Sequence, residues 1–495
     1  MRLVLKAAIL SVLACAVPQA ALGAEITLSP PSAPPTAQVA IHGTGFSPGA
    51  QVQVFGFPLV NEAATADAQG AFTVGFQVPR DAFPGPVLIR ASAPSDFAFA
   101  SFVVSTPWNQ AGRVAGRTGF NQFEGILGRD TADDLFVRWR TNVDGGEPIV
   151  NHNTVYARTR TGITALQLLC RSPLLSCDEP LVQGRFAIPG PVFFTSTPII
   201  GKNRLYVAAN FRVYAFSTTC KTAGSCDPIW SRGFNPEPRS LTFAHGMLYV
   251  GTNDSLRGFD VAACEAAAGA CKPVSTVAAP DPAGARAGVP AIANGRIAVV
   301  GGILGELMVF DEACRGRCAP LWHAEVGGAG TPVIAGPHTV VISDGHVRTY
   351  RTDCRTDGGV CAPLWTSAGA NHTGRPAVAG RRVFAPGERQ LPTGAFVSDF
   401  RAYELDCRTD GGQCTNAWRW TSAGPGFSGD SAPVVANGVV YAPFGTRISM
   451  LSTACANPCQ PLGFVNVDRS PEIAIADATL VASTLTSLTA FSSNR

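Results

Sequence analysis

The chain has 495 residues, with 38 Lys and Arg against 35 Asp and Glu and a formal charge of +3. Setting aside Arg2 and Lys6, which sit in a leader, takes +3 to +1, too little for long-range attraction to nucleic acid or anionic lipid. No stretch has the roughly 20 uninterrupted apolar residues of a spanning helix, so no transmembrane segment is expected.

Residues 1–24 read as a secretory signal peptide. They carry Arg2 and Lys6, a short apolar run from Ala7 to Val17, and the small-residue exit Ala20-Ala21-Leu22-Gly23-Ala24. Val12-Leu13-Ala14-Cys15 is a loose lipobox, which leaves a lipid anchor at Cys15 open beside free secretion. The expected location is secreted, periplasmic or cell-surface, and the expected state a monomer.

Residues 25–105 lack cysteine and carry short β-favouring runs: Val39-Ala40-Ile41-His42, Val52-Gln53-Val54-Phe55 and Phe72-Thr73-Val74-Gly75-Phe76. Ser47-Pro48-Gly49 and Asp67-Ala68-Gln69-Gly70 supply turns between them. About eighty residues of largely alternating strands predict a β-sandwich. Residues 106–133 follow as a linker and lead-in.

From residue 134 onward a unit repeats. Its first strand begins near Pro148, Pro198, Ser240, Pro290, Pro332, Pro376, Pro433 and Pro471, a spacing of about 46 residues that matches four-stranded propeller blades. The full unit holds four β-rich runs between Gly and Asp turns, and in four units the outer run is marked by a tryptophan: Trp230, Trp322, Trp365 or Trp418. The last unit lacks an outer run, whereas Asp134–Thr141, with Trp139, looks like an outer strand without inner ones. Joining the two closes the ring and leaves no sheet edge. The predicted fold is all-β: an eight-bladed propeller, with seven blades the alternative, after the sandwich.

Fourteen cysteines outside the leader fall into close pairs: Cys170/Cys177, Cys220/Cys226, Cys264/Cys271, Cys314/Cys318, Cys354/Cys361, Cys407/Cys414 and Cys455/Cys459. An even count in an exported chain predicts disulfides. Zinc is the rival reading, but it needs about four converging ligands, and these pairs recur one per repeat, bridging the third turn.

Two resemblances add to this. The run His42-Gly43-Thr44-Gly45-Phe46-Ser47-Pro48-Gly49, with Pro84-Gly85-Pro86, resembles immunoglobulin-like modules of exported bacterial proteins. Trp108, the stretch Gly116-Arg117-Thr118-Gly119-Phe120-Asn121-Gln122-Phe123-Glu124, and blades such as Ala432–Tyr441 resemble the pyrroloquinoline-quinone-type β-propeller superfamily over about residues 108–491. That resemblance implies the fold. The family's enzymes hold a quinone over a Trp floor, usually beneath a disulfide between adjacent cysteines, with a Ca²⁺ on Glu, Asn and Asp. Here no adjacent Cys-Cys pair exists and the tryptophans read as outer-strand residues, so no cofactor residue is carried over and no cofactor or metal is expected.

Seven scattered histidines (His42, His152, His245, His323, His338, His346 and His372) show no metal-ligand spacing, and no nucleophile elbow or phosphate loop occurs. No catalytic residue is assigned. The face formed by outer-to-inner and second-to-third strand connections is the candidate binding face, with the disulfides on the other. Arg239, Arg286, His372, Arg375, Asp430, Asp468, Arg469 and Glu472 lie at or near its inner-strand starts and could hold a polar ligand or a partner's carboxylates. One insertion, Pro386–Asp399 with Glu388, Arg389 and Phe396, is a candidate recognition loop. The reading taken is a non-enzymatic exported binding or scaffold protein for a protein or cell-envelope partner. The alternative is an extracellular enzyme, either a quinone-dependent oxidoreductase or a propeller hydrolase or lyase.

Overall fold

Two-residue turns with left-handed backbone punctuate the chain. His152-Asn153, Lys202-Asn203, Asn294-Gly295, Asp344-Gly345, Asn437-Gly438 and Asp477-Ala478 all have positive φ at both positions, the hairpin geometry that matches the twist of antiparallel strands. The computed structural model describes residues 23–170, 177, 179–220, 224–278, 288–301, 305–369, 371–394, 396–422, 431–469 and 471–494. The predicted leader and Cys15 lie outside the described residues. No described helix is long and apolar enough to cross a membrane.

The chain divides into two compact units, one of residues 1–32, 38–77 and 86–102, the other of residues 33–37, 78–85 and 103–495. The first is built on a three-stranded and a five-stranded sheet. Its strand Gln51–Gly56 alternates exposed and buried residues at every step, the period of a sheet with one wet face. The buried set includes Ile41, Val54, Ile89 and Phe102, with Phe46 edge-on to Phe72 at 5.2 Å.

In the second unit, eight sheets among the described residues share one plan: four antiparallel strands joined in sequence. Their inner strands are Ile149–Asn151, Ile199–Gly201, Ser240–Ala244, Ala291–Ala293, Val333–Ala335, Ala377–Ala379, Val434–Ala436 and Glu472–Ala476. Each inner strand contacts the next, and the eighth contacts the first, so the sheets form a closed ring. The eighth sheet takes its outer strand from the beginning of the unit: Leu135–Asn142 pairs antiparallel with Ser487–Ser493. Mixing the two ends of the chain in one sheet ties the ring shut and removes both free edges.

The tryptophans stitch neighbouring sheets. Indole N–H groups of Trp139, Trp322, Trp365 and Trp418 donate to the carbonyls of Leu168, Thr352, Leu405 and Thr453 at 2.7–3.1 Å. Each carbonyl lies just past the third strand of the following sheet. Trp230 is the exception, with no partner for its Nε1. In the sheet after it, a helical turn, Val261–Ala266, follows the third strand and takes the place of the extended carbonyl.

All seven cysteine pairs are bonded as expected, each between the third and fourth strands. The sequence did not show that six of these loops also lace sheet to sheet. The second cysteine's segment runs parallel to the outer strand of the preceding sheet at Ser225-Cys226, Gly316–Cys318 and Gln413-Cys414. In three more, backbone hydrogen bonds outside a named strand make the same joint: the Cys177, Cys361 and Cys459 amides donate to Arg138, His323 and Arg419 carbonyls.

The pair Cys264–Cys271 bridges the same third connection by a different local structure. Cys264 lies within the helix Val261–Ala266, where the Asp260 carboxylate caps the first turn by accepting from the Ala263 amide. The bond therefore ties a helix to the extended segment that leads into the outer strand, rather than closing a strand-to-strand loop. Both cysteines are buried and pack in the cluster that holds Trp230, Phe234 and Phe259, so this disulfide is part of the core between two sheets. Cys271 has no backbone joint of the kind seen in the other six. Its carbonyl accepts instead from the Arg232 guanidinium of the preceding sheet's outer strand, which also donates to the Gly269 carbonyl at 3.1 Å.

Candidate functional site

Residues 108–121, expected as part of a linker, lie across the ring and bond to every inner strand. Trp108 exchanges backbone hydrogen bonds with Val150, and the carbonyls of Asn109, Ala115, Gly116, Thr118 and Gly119 accept from Ile200, Ile292, Ile334, Val378 and Val435. The Gln110 carboxamide bonds both backbone groups of Phe243. Asn121 Nδ2 donates to the Ile475 carbonyl at 2.8 Å. Positive φ at Gly112, Arg113, Arg117 and Gly119 curls the segment tightly enough to visit all eight. At Gly116 a Cβ would stand 2.8 Å from the Ile334 carbonyl oxygen, so only glycine lets the two backbones meet.

The segment divides the ring's centre. On the side of the strand-one-to-strand-two turns, a cavity of about 610 Å³ lies against Gln110, Val114 and Ala115. On the side of the inner-strand starts, a cup of about 920 Å³ has Ala111 and Arg117 of the segment in its wall. Strand direction alternates through each sheet, so this second face carries the outer-to-inner and second-to-third connections, and the disulfides lie on the other.

Four arginines and two glutamates line the cup among the described residues: Arg117, Arg158, Arg239, Arg375, Glu147 and Glu472. Arg375 Nη2 donates to Glu147 at 3.0 Å and to Glu472 at 3.2 Å. Glu147 is buried, and its other oxygen accepts from the Gly112 amide at 2.8 Å and the Trp108 indole at 3.4 Å. Arg117 is buried with its Nε on the Pro290 carbonyl at 3.0 Å. Burial, helped by the neighbouring Arg375 charge, brings its pKa down to about 9. Burial also lowers that of Arg158, whose Nη2 donates to the Ser196 carbonyl and whose guanidinium lies 5.2 Å from the Phe194 ring. Arg239 is half exposed, 3.4 Å from Glu237.

Of the residues singled out from sequence, Arg239, Arg375 and Glu472 line the cup. His372 does not. It is buried, with Nδ1 on the Pro386 carbonyl and Nε2 on the Tyr403 hydroxyl, inside the sixth sheet. Asp468 pairs with Arg140 and accepts from Ser487, and Arg469 is exposed. Arg286 and Asp430 lie outside the described residues. Glu388, Arg389 and Phe396 belong to a hairpin in which Gly387–Gln390 pairs with the start of Phe396–Glu404, a second-to-third connection on the cup's face. Glu147, Arg117 and Arg158 were not singled out. Glu147 directly precedes a strand-starting proline, a signal that position alone could have supplied. Arg158 ends a second strand and carries no such mark.

The anchor of the lead-in is buried. Asp477 accepts from the Thr106 amide at 2.6 Å, the Asn153 amide at 3.1 Å and Ser105 Oγ at 3.0 Å. Glu124 accepts from the amides of Ile126, Leu127 and Ala478. Burial pushes both carboxyls above the ordinary range against these bonds.

A closed ring of four-stranded antiparallel sheets around a lined centre defines the chain as a β-propeller. Solved structures at low identity are similar to it. That of Saccharomyces cerevisiae Sqt1 is similar with a TM-score of 0.50 at 9% identity, over 72% of this chain and 96% of that one. Kluyveromyces lactis Hsv2 is similar with a TM-score of 0.42 at 10% identity, over 67% and 99%. The N-terminal domain of Nup159 reaches 0.38 at 9% identity, over 63% and 90%. No family model and no curated protein matches the chain. The cup's residues do not fit the quinone and calcium site that the quinoprotein resemblance brings to mind. Among the described residues no tryptophan lines it, and both of its carboxylates are held by Arg375.

Proposed function

We propose that this chain is an exported, eight-bladed binding propeller behind an immunoglobulin-like module, and that it holds a protein or cell-envelope partner on the face around the cup. The quinoprotein-type subclass remains our reading of the sequence alone. One observation carries the proposal: the ring's centre is a blind, charged recess, floored by the chain's own lead-in and open on the face opposite the disulfide loops. A recess of that size with a few fixed polar groups suits recognition. Its carboxylates are ion-paired, which suits binding better than proton transfer. Seven disulfides belong to a chain that matures in an oxidising compartment, which supports export.

The test is a photo-crosslinking residue introduced in place of Phe211 or Phe396, on the cup's face, or of Val360, in an exposed disulfide loop. Capture of one partner from the chain's native envelope or medium fraction at the first two positions but not the third is the expected result. Capture from Val360 alone, or from none of the three, would remove the reading.

A further inference from the structure

Beyond a generic partner, the cup carries a chemical preference, and this inference rests on the binding reading above. We propose that it is a carboxylate receptor that takes an acidic segment of a partner polypeptide. Four guanidinium groups face two carboxylates among the described lining residues, an excess of two positive charges. Arg375 serves the two internal carboxylates and Arg239 lies 3.4 Å from Glu237, so Arg117 and Arg158 carry the surplus that faces the recess. Arg117 donates through Nε to the Pro290 carbonyl and lines the recess.

Planar guanidinium groups match carboxylates through paired N–H donors, and the cup already shows that match internally at 3.0 and 3.2 Å. Two ligand carboxylates would balance the surplus. A multiply charged phosphate would instead meet the fixed charges of Glu147 and Glu472. A burial site of this kind also favours a ligand that brings apolar neighbours. Phe193, Phe211, Phe396 and Leu485, each at least half exposed, stand on connections of the same face, in the second, sixth and eighth sheets and beside the cup-lining stretch Thr195–Thr197. Apolar side chains flanking an acidic pair would rest there.

The full-length, oxidised protein is titrated with three probes: glutarate, inorganic phosphate, and a fluorescein-labelled Gly-Phe-Leu-Glu-Glu peptide with a free carboxyl terminus. The expected result is that the peptide binds at least tenfold tighter than glutarate, and that its Gln-Gln amide analogue loses at least tenfold. Arg117→Gln combined with Arg239→Gln should cost a further tenfold or more. Arg239→Gln alone, at a half-exposed position, serves if the double variant does not fold, and should cost at least threefold. Glutarate binding as tightly as the peptide would make the source a small solute and overturn the polypeptide. Phosphate outcompeting both would overturn the carboxylate. If no probe binds while the crosslinked partner is still captured, this inference fails and the binding reading stands. If the partner is not captured either, both fail.

Discussion

Arg375 donates to Glu147 across 3.0 Å of space and 228 residues of chain. The bond joins the start of the first sheet to the start of the sixth, across the two sheets that lie between them in the ring. Glu147 also receives the Gly112 amide of the lead-in, so one buried carboxylate holds two sheets and the floor together. Removing a buried partner leaves the others unsatisfied, which costs more than the pair itself contributes.

Glu147→Ala is therefore expected to destabilise the propeller by about 3–5 kcal/mol, with Glu147→Gln milder because its carbonyl oxygen still accepts from Gly112. Denaturant unfolding of the oxidised protein checks both. Equal losses for the two would contradict the shared-carboxylate account.

His372 gives the fold an acid sensitivity. Burial pushes its pKa down to about 4 from an ordinary value near 6.5. The native state then keeps the ring neutral while the unfolded chain takes up a proton as pH falls below about 6.5. Stability is lost progressively from about pH 6.5 to 4 and levels off below, in total by about 3 kcal/mol. His372→Gln should be less stable at neutral pH yet show a shallower decline across that window, read from thermal midpoints at pH 7, 5.5 and 4.5. Parallel declines would remove His372 as the cause.

Backbone contact between the lead-in and the inner strands sets a steric test. Gly119 has φ of +63°, and a Cβ there would sit 3.1 Å from the Pro433 carbonyl and 3.2 Å from Ala377 Cβ. Gly119→Val should cost about 3 kcal/mol or more, combining left-handed strain and overpacking. Gly438, also left-handed but with nothing within 4 Å, should cost only about 1 kcal/mol when changed to Ala. Similar losses at the two sites would show that the close approach contributes little.

The disulfides can be separated from the lacing they carry. Replacing Cys354 and Cys361 together by Ala should cost about 2 kcal/mol by loop closure. It should also speed hydrogen exchange at the amide of residue 361, which bonds the His323 carbonyl, while the inner strands keep their protection. Uniform loss of protection through the ring would instead make this staple global.

Much of the ring could be read in advance because each signal is local. Paired cysteines, a tryptophan at a fixed offset and a Gly or Asn turn repeat in most units, and the isolated strand around Trp139 showed where the ring closes. The lead-in was opaque for the opposite reason. Its partners are backbone groups of eight strands spread from Val150 to Ile475, and a carbonyl that accepts a hydrogen bond leaves no mark on residue choice. His372 misled because a polar residue at a strand start looks alike whether it faces solvent or, as here, the Tyr403 hydroxyl.

Sequence by itself determined the all-β repeat, the pairing of the cysteines and the strand that completes the last sheet, since periodicity and spacing are properties of neighbours along the chain. Tertiary structure decided that Arg117, Glu147 and Arg158 join Arg239, Arg375 and Glu472 in the recess while His372 does not. Arg117, Glu147, Arg158, Arg239, Arg375 and Glu472 converge because the inner strands close on themselves and the lead-in floors the space between them. That convergence depends on ring closure, which brings residues hundreds of positions apart within hydrogen-bond reach.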